Sequence, residues 1–598
     1  MDASDYSKHK DRDPRQTVEA IRSRLASMGI ETDVTWTSHQ FDGTWSNSVS
    51  VVGTTLSANG KGTSREYALA SGYAELMERI QNKGLGYRTH IEKSFASYGF
   101  YDFPDERMVP ATELVARHDP AIEGWLESWG CTTDAEKLKL VREFSRAEYR
   151  REDDLVVEVP FADLGTGRLR WLPPALYRRV YGTNGMCAGN TLEECLVQGF
   201  SEIFERHVML KVVDSEVVMP RIPREKLRAW SVGALIDRIE ADGRYRVNVF
   251  DGSLGRGYPV VATAITDSTR GTFGVRFGAH PSMAIAVERT LTEAFQGRSI
   301  EGFTGISRLA SAEEARDEAN RRGMLVNGAG VYPITLLTGK PGWEYVPWDP
   351  DEGCSNAALL RRMVSTLAKE GFSPLVRDNS HLGFNACQII VPGMSEAECQ
   401  TPDSYERIRI RQAFSEAFSS YPNLTAEQQE AFLRAEGEGS LPIVASHDRP
   451  LRGFRTWLPY LWGSVHIARG EFGAARRGFN RLSLVTSPPA SLFWQAMGDY
   501  AYWRSLGSGR DEALGLIESL YPGDFREQVE RETAQDAGQP LPELPRMSCY
   551  DCAQCAMSSA GQCLGASDAA AFAKVDAAFA VSQVSQEGLL VRLRELLG

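Results

Sequence analysis

The stretch of sequence that decides the fold is Gly189–Arg206, which reads GNTLEECLVQGFSEIFER. Its apolar residues recur at helical spacing, and Thr191 and Glu194 have the spacing of an N-terminal capping box. At about 100° per residue, Glu202 and Glu205 lie about 80° and 20° from Glu194 around the helix axis. The stretch therefore predicts a mostly apolar helix that carries three carboxylates on one face.

Two other segments have the same pattern of a glycine-containing turn followed by an apolar helix with acidic residues. In the first, Asn59–Ser64 (NGKGTS) precedes Ser71, Glu75 and Glu78 at positions i, i+4 and i+7. In the second, Gly278–Pro281 (GAHP) precedes Arg289, Glu293 and Gln296 at the same spacing. The three predicted helices cover residues 64–81, 191–212 and 281–298.

Burying several carboxylates without compensation is prohibitive, so a cation is expected between the three helices. Either arginines or a divalent metal can supply it, and hard cations such as Mg²⁺ bind carboxylate and phosphate oxygens. Lys61 and the arginines would then face phosphates. Helix capping by Glu194 and by the Thr63/Glu66 pair, and solvated Glu–Arg neighbours, are the alternative interpretations. The Gly60–Thr63 segment is not a P-loop, because Thr55 and Gly62 occupy positions that need Gly and Ser or Thr.

Composition narrows the class of protein. The 598 residues include 66 Lys and Arg against 79 Asp and Glu, a formal charge of −13. An acidic chain argues against broad binding to nucleic acid or to a membrane surface. The sequence has no apolar run of transmembrane length and no N-terminal apolar segment of the signal-peptide type. We therefore expect a cytoplasmic protein.

The order of predicted elements indicates a mixed α/β domain over residues 1–405, because strands and helices do not alternate strictly. Strands are expected at 48–52, 155–159, 258–264 and 387–391. Residues 406–538 are predicted to be all-α, and Trp457–Leu506 resembles one or two tetratricopeptide (TPR) units, with a plain helical bundle as the alternative. Residues 539–598 comprise a Pro-rich linker, a cysteine cluster and a terminal helix.

Four of the ten cysteines, Cys549, Cys552, Cys555 and Cys563, fall within 15 residues. Four thiolates suffice for a tetrahedral Zn²⁺ or an iron–sulfur cluster. Redox chemistry and unliganded thiols are the alternatives. The spacing of the last cysteine matches neither a ferredoxin motif nor two separated zinc knuckles, so the ligand stays open.

The three helical segments, together with Val391–Met394, resemble the signature motifs of the YcaO superfamily over about residues 10–400. The resemblance implies a mixed α+β fold that binds ATP and Mg²⁺ and an enzyme that activates a backbone amide by phosphorylating its oxygen. It implies a nucleotide site formed by Lys10, Thr17, Ser71, Glu75, Glu78, Asn190, Glu194, Glu202, Glu205, Arg206, Arg289 and Glu293. It implies Mg²⁺ ligands among Glu75, Glu78, Glu194, Glu202, Glu205 and Glu293. The catalytic residues are not specified.

The chain does not end in the Pro-rich tail of peptide cyclodehydratases, and Tyr181–Met186 and Asp251–Gly255 resemble a stand-alone branch of the family. That branch is linked to β-methylthiolation of an aspartate in a small-subunit ribosomal protein, as accessory to a radical-SAM methylthiotransferase. The resemblance implies a peptide or ribosomal protein substrate, that methylthiotransferase as a partner and a homodimer, without direct nucleic-acid or membrane contact. Two alternatives are a non-catalytic ATP-binding adaptor and a cyclodehydratase or thioamide synthetase of peptide natural products.

Overall fold

The computed structural model describes residues 9–37, 43–85, 91–149, 151, 153–348, 353–397, 406, 409–410, 413–414, 417, 420, 422–437, 454–485, 488–542 and 564–598. They form two compact units. The first holds the described residues up to 397 together with 570–598, and the second holds those from 406 to 569. The four clustered cysteines lie outside the described residues. No helix in the described part of the chain is long and apolar enough to cross a membrane.

The first unit contains fourteen strands, most of them in antiparallel sheets. Their bounds are β1 Thr32–Trp36, β2 Trp45–Val51, β3 Ser57–Gly62, β4 Arg107–Pro110, β5 Leu155–Asp163, β6 Arg168–Leu172, β7 Met186–Gly189, β8 Tyr245–Asp251, β9 Val260–Asp267, β10 Thr272–Ala279, β11 Arg308–Ala310, β12 Val331–Pro333, β13 Leu375–Asp378 and β14 Asn385–Ile390.

The strands form four sheets. Two are three-stranded, with the orders β1-β2-β3 and β10-β9-β8, and a six-stranded sheet has the order β4-β5-β13-β14-β7, with β6 also paired to β5. Strands β11 and β12 form a parallel pair. The four predicted strands correspond to β2, β5, β9 and β14, with ends displaced by up to four residues.

Helices surround these sheets. Those before residue 397 are α1 Pro14–Ser27, α2 Arg65–Gln81, α3 Ile91–Tyr98, α4 Ala111–Ala116, α5 Pro120–Ser128, α6 Asp134–Tyr149, α7 Pro174–Tyr181, α8 Leu192–Asp214, α9 Arg224–Arg228, α10 Val232–Ile239, α11 Met283–Ala294, α12 Ile300–Phe303, α13 Ala312–Ala315, α14 Glu318–Asn327, α15 Thr335–Thr338 and α16 Asn356–Lys369. The mixture of sheets and helices confirms the predicted mixed α/β fold class.

The predicted acidic helices correspond to α2, α8 and α11. Thr191 caps α8, because its hydroxyl accepts a hydrogen bond from the Glu194 amide at 3.1 Å. The predicted Thr63 cap is wrong: Ser64 caps α2 and accepts from the Tyr67 amide at 3.3 Å. Helix α11 ends four residues before the predicted end, and Gly297 follows with a positive φ of 68°.

The second unit is largely helical, as expected for the C-terminal region. Its helices are α17 Ala426–Arg434, α18 Phe454–Ala468, α19 Phe472–Val485, α20 Ala490–Ser505, α21 Arg510–Leu520 and α22 Phe525–Glu532, with 3₁₀ turns at Ala435–Gly437 and Ala534–Ala537. Trp462, Phe479 and Tyr500 are buried in its core. The TPR resemblance stays a prediction.

The last two helices are α23 Leu564–Ala580 and α24 Gln586–Leu597. Helix α24 buries Leu589, Leu590 and Leu593 in a core of the first unit that also contains residues of α8 and β14. The sequence grouped this terminal helix with the cysteine segment. The structure instead packs it into the α/β unit, because its apolar stripe completes that core.

Candidate nucleotide site

Close strand–helix packing positions the three acidic helices. Strands β3, β7 and β10 each lead into one of them, and a glycine near the end of the strand touches the backbone of the following helix. A Cβ at Gly62, Gly189 or Gly278 would lie 2.6, 2.5 or 2.6 Å from the helix backbone. The glycines of the three motifs therefore lie in strands rather than in turns, and their lack of a side chain permits this contact.

We call the carboxylates that α2, α8 and α11 bring together the three-helix face: Glu75, Glu78, Glu202, Glu205 and Glu293. Each of four basic residues interacts with this face. Arg79 lies 3.8 Å from Glu75 and 3.4 Å from Glu78. Arg206 pairs with Glu202 at 2.9 Å, and Lys61 pairs with Glu293. Arg289 is an electrostatic partner of Glu205.

The carboxylates of the face are incompletely neutralised. Burial raises the pKa of Glu75 and Glu205, and raises the pKa of Glu78 well above its usual range, while Glu202 adds repulsion at all three. Burial and then Arg289 lower the pKa of Lys61 to about 8. The face therefore favours extra positive charge even with its own cations in place.

A divalent cation is compatible with this donor set. Across the described ranges, no three His, Cys, Asp or Glu side chains converge to hold a metal. Lysine and arginine pair with four of the five carboxylates of the three-helix face. Carboxylate oxygens are suitable ligands for Mg²⁺, whose remaining ligands in nucleotide sites are phosphates and water. Mg²⁺ would thus bind together with phosphate rather than in a protein cage.

A second group of predicted residues lies where the N-terminal arm meets the start of α8. Glu194 accepts hydrogen bonds from Lys10 Nζ at 3.2 Å, from the Asp11 amide at 2.9 Å and from Asn190 Nδ2 at 3.0 Å. The Thr17 hydroxyl donates to Asn190 Oδ1 at 2.8 Å. Lys10, Thr17, Asn190 and Glu194 therefore form one network, and these contacts hold the Glu194 pKa below its usual range against burial.

Gln198 and His9, which the sequence did not single out, contact residues of the third motif. Arg289 Nη1 donates to Gln198 Oε1 at 2.6 Å, and the rings of His9 and His280 lie 5.7 Å apart. Burial lowers the pKa of His280 well below its usual range, and Arg289 lowers it further. Gln198 lies four residues after Glu194, so helical spacing could have identified it. His9 precedes the first helix, where no periodicity exists.

The remaining predicted residues are placed as follows. Ser71 lies on α2 one turn before Glu75 and is half-buried. Arg206 also donates to the Leu325 carbonyl at 2.6 Å, which ties α8 to α14. The four cysteines predicted to bind a metal lie outside the described residues.

Two relatives are similar over much of the sequence. An uncharacterized protein of Haemophilus influenzae is 28% identical over 499 residues, covering 80% of this chain and 82% of its own length. The ribosomal protein S12 methylthiotransferase accessory factor YcaO of Escherichia coli is 30% identical over 341 residues, covering 56% of this chain and 57% of that protein.

Solved structures are more distant. YcaO from Methanopyrus kandleri bound with AMPPCP and Mg²⁺ is 19% identical, with a TM-score of 0.36 and coverage of 64% of this chain and 92% of that chain. A heterocyclase in complex with substrate and cofactor is 18% identical, with a TM-score of 0.45 and coverage of 65% and 53%.

The family comparison is decisive. The family described as YcaO cyclodehydratase, ATP- and Mg²⁺-binding, matches residues 59–395, which contain α2, α8 and α11 with all five carboxylates of the three-helix face. Since this match covers more than half of the chain, the protein belongs to the YcaO family.

Proposed function

We propose that the protein binds MgATP on the three-helix face and uses it to activate a backbone amide of a peptide or protein. YcaO family members are ATP-dependent amide-activating enzymes. The observation that carries the proposal is the convergence of five carboxylates from three helices with only four basic residues on the three-helix face. This combination suits a divalent cation and the phosphates that it accompanies.

The residues of the face have separate roles in this proposal. Mg²⁺ would be held by the carboxylates of Glu75, Glu78, Glu202, Glu205, Glu293 and Glu194. When bound, the metal would neutralise phosphate charge. Lys61 and Arg289 would exchange their carboxylate and amide partners for phosphate oxygens. The Lys10–Glu194 network would hold the N-terminal arm against the nucleotide, and Ser71, Thr17, Asn190 and Arg206 would complete its binding.

The direct test compares MgATP binding and hydrolysis in wild type, Glu75→Gln and Glu205→Gln, with Glu113→Gln on the exposed side of α4 as the matched control. We expect the two site variants to weaken binding about tenfold or more and to lower hydrolysis, because each removes one charged ligand. Equal binding in all four proteins contradicts the assignment.

Turnover separates the enzyme from an adaptor. If wild type binds MgATP but hydrolyses it no faster than Glu205→Gln in the presence of substrate, the protein is an ATP-binding adaptor. The family description as cyclodehydratase favours a second candidate activity, heterocycle formation in a peptide. That activity removes one water from the peptide, which mass spectrometry detects.

We further propose that the protein is an accessory factor for β-methylthiolation of an aspartate in ribosomal protein S12. Its partner would be a radical-SAM methylthiotransferase. The support is the 30% identity to the Escherichia coli accessory factor over 56% of this chain. The test is mass spectrometry of S12 from cells with and without this gene. Unchanged modification contradicts the accessory role.

We propose that the C-terminal region mediates assembly of the protein with a partner or with a second copy of itself. Its TPR-like helices would dock a partner or a second copy, which light scattering and pulldown experiments test. Cys549, Cys552, Cys555 and Cys563 would bind an iron–sulfur cluster or Zn²⁺. Anaerobic purification with iron, sulfide and zinc analysis tests this, and absence of all three contradicts it.

A further inference from the structure

One buried cation of the first unit lacks a partner. Arg276 lies on β10 and is only 5% exposed, yet its Nε and Nη1 have no hydrogen-bond acceptor among the described residues. It forms no ion pair with any of them either. Burying an unpaired charge is strongly unfavourable, and the buried Arg377 does pair, with Asp105 at 2.5 Å. The missing counter-charge of Arg276 therefore indicates a ligand.

The guanidinium of Arg276 is covered on one side and open on the other. A Cβ at Gly328 would lie 2.7 Å from Nη1, so the backbone between α14 and β12 covers this nitrogen. The ring centre of Phe303 lies 5.8 Å from Cζ. Nη2 also has no partner among the described residues, but it is not buried. A ligand can therefore reach the guanidinium at Nη2.

The charges around Arg276 leave it in excess. Burial lowers the pKa of Arg276 to about 10, so the side chain is still charged at neutral pH. The half-buried Arg298 lowers this pKa by more than Glu205 raises it. Glu205 belongs to the three-helix face, where Arg289 and Lys61 are its main cationic partners. The margin of the face beside Glu205 therefore has a surplus of positive charge, which an anion would neutralise.

A second polar group in this region is also unpaired. Tyr332 on β12 is fully buried, and its hydroxyl has no hydrogen-bond partner in the described part of the chain. Buried tyrosine hydroxyls usually have one. Burial raises the pKa of Tyr332, and Arg276 is the charged neighbour that opposes this rise. We call Arg276, Arg298 and Tyr332 the Arg276 cluster. Two neighbouring donors without partners indicate that the cluster lacks an acceptor.

We propose that the Arg276 cluster binds a carboxylate group of the peptide or protein substrate, beside the nucleotide on the three-helix face. A guanidinium recognises carboxylates through charge-assisted hydrogen bonds. The phosphates have their own proposed partners in Lys61, Arg289 and Mg²⁺, and Arg276 is not a main electrostatic partner of Lys61. The proposal rests on the function proposed above in one respect, which is that a peptide or protein is the substrate. It adds that an acidic residue lies close to the activated amide.

The test uses acetate as the probe, because it is an isolated carboxylate group, and acetamide as its uncharged counterpart. The full-length protein is titrated with each in a calorimeter, and sodium acetate replaces sodium chloride so that the ionic strength stays constant. Each titration is done without nucleotide and with the three-helix face saturated by Mg²⁺ and a non-hydrolysable ATP analogue. We expect acetate to bind with millimolar affinity in both states, and acetamide not to bind.

Charge variants locate the binding. Arg276→Met is expected to weaken acetate binding about tenfold or more, while Arg246→Met, at an exposed position on β8 of the same sheet, leaves it unchanged. Arg276→Met should also raise the melting temperature of the ligand-free protein, because it removes an unpaired buried charge. Should Arg276→Met fail to fold, the half-buried Arg298 provides a second variant. Arg298→Gln is expected to weaken acetate binding about threefold or more.

Three results overturn the proposal. The first is acetate binding no better than acetamide up to about 50 mM. The second is equal acetate affinity in wild type and the charge variants. The third is an Arg276→Met variant that binds the ATP analogue more weakly but MgADP normally, which would assign Arg276 to the γ-phosphate. If wild type does not bind the ATP analogue, the function proposed above fails, whereas the titrations without nucleotide still decide whether Arg276 binds a carboxylate.

Discussion

A buried ion pair connects the end of α2 to the C-terminal helix α23, and its removal should destabilise the first unit. Lys83 pairs with Asp576, and the two side chains are 4% and 0% exposed. Asp576 also accepts a hydrogen bond from the Ser94 hydroxyl, and the Lys83 ammonium lies 4.6 Å from the centre of the Phe579 ring. Lys83→Met would leave the Asp576 carboxylate buried and without this cation.

Removing one partner of such a pair costs about 3–5 kcal/mol, because the remaining charge stays desolvated. Replacing both partners, with Lys83→Met and Asp576→Leu, removes that penalty and should cost less than about 2 kcal/mol. Lys574→Met is the matched control on the same helix, since its ammonium bonds the Gly29 carbonyl at an exposed position. It should cost less than about 1 kcal/mol.

Urea unfolding measures these differences, and hydrogen exchange in residues 570–598 assigns them to the first unit, because a chain with two units need not unfold in one step. A Lys83→Met cost as small as that of Lys574→Met would refute the inference that this pair fixes the C-terminal helix. A double variant as unstable as the single variant would show that packing, and not the isolated charge, causes the loss.

Further predictions concern backbone packing, acid stability and the N-terminal arm. Gly189→Ala should destabilise by about 1–3 kcal/mol through contact with the α8 backbone, whereas Gly124→Ala, with open space around it, should be neutral or stabilising in thermal unfolding. Burial lowers the pKa of His207 to about 4 and that of His381 to about 3, so the folded state disfavours their protonation. Their contribution to stability is complete above pH 6.5, and urea titrations should show a loss of up to about 3 kcal/mol per pH unit from there toward pH 4. His207→Leu should reduce this slope by about half, and an unchanged slope contradicts the assignment. Lys10→Met should weaken MgATP binding about tenfold while Arg12→Gln does not, because Lys10 is the cation that faces the nearly buried Glu194.

The sequence predicted those parts of the site that depend on local spacing. Glu75 and Glu78, and likewise Glu202 and Glu205, share a helix face because three residues make nearly one turn. The structure brings these faces together, although the predicted Mg²⁺ coordination stays a prediction. The sequence misplaces the ends of α11 and the N-cap of α2. A capping hydroxyl or a single positive-φ glycine shifts a helix boundary by a few residues without altering the apolar pattern.

Contacts between distant segments could not be predicted in this way. Lys83 and Asp576 are 493 positions apart, and each occurs in a segment whose own pattern predicts only an exposed charge. The same holds for Arg24, whose carbonyl partner Leu382 is 358 positions away. A single sequence gives no signal that such distant positions are in contact. The proximity of Lys83 and Asp576 follows from the packing of α23 against the α/β core. The terminal helices are therefore where the structure adds most, and the Lys83 variants test that addition independently of nucleotide binding.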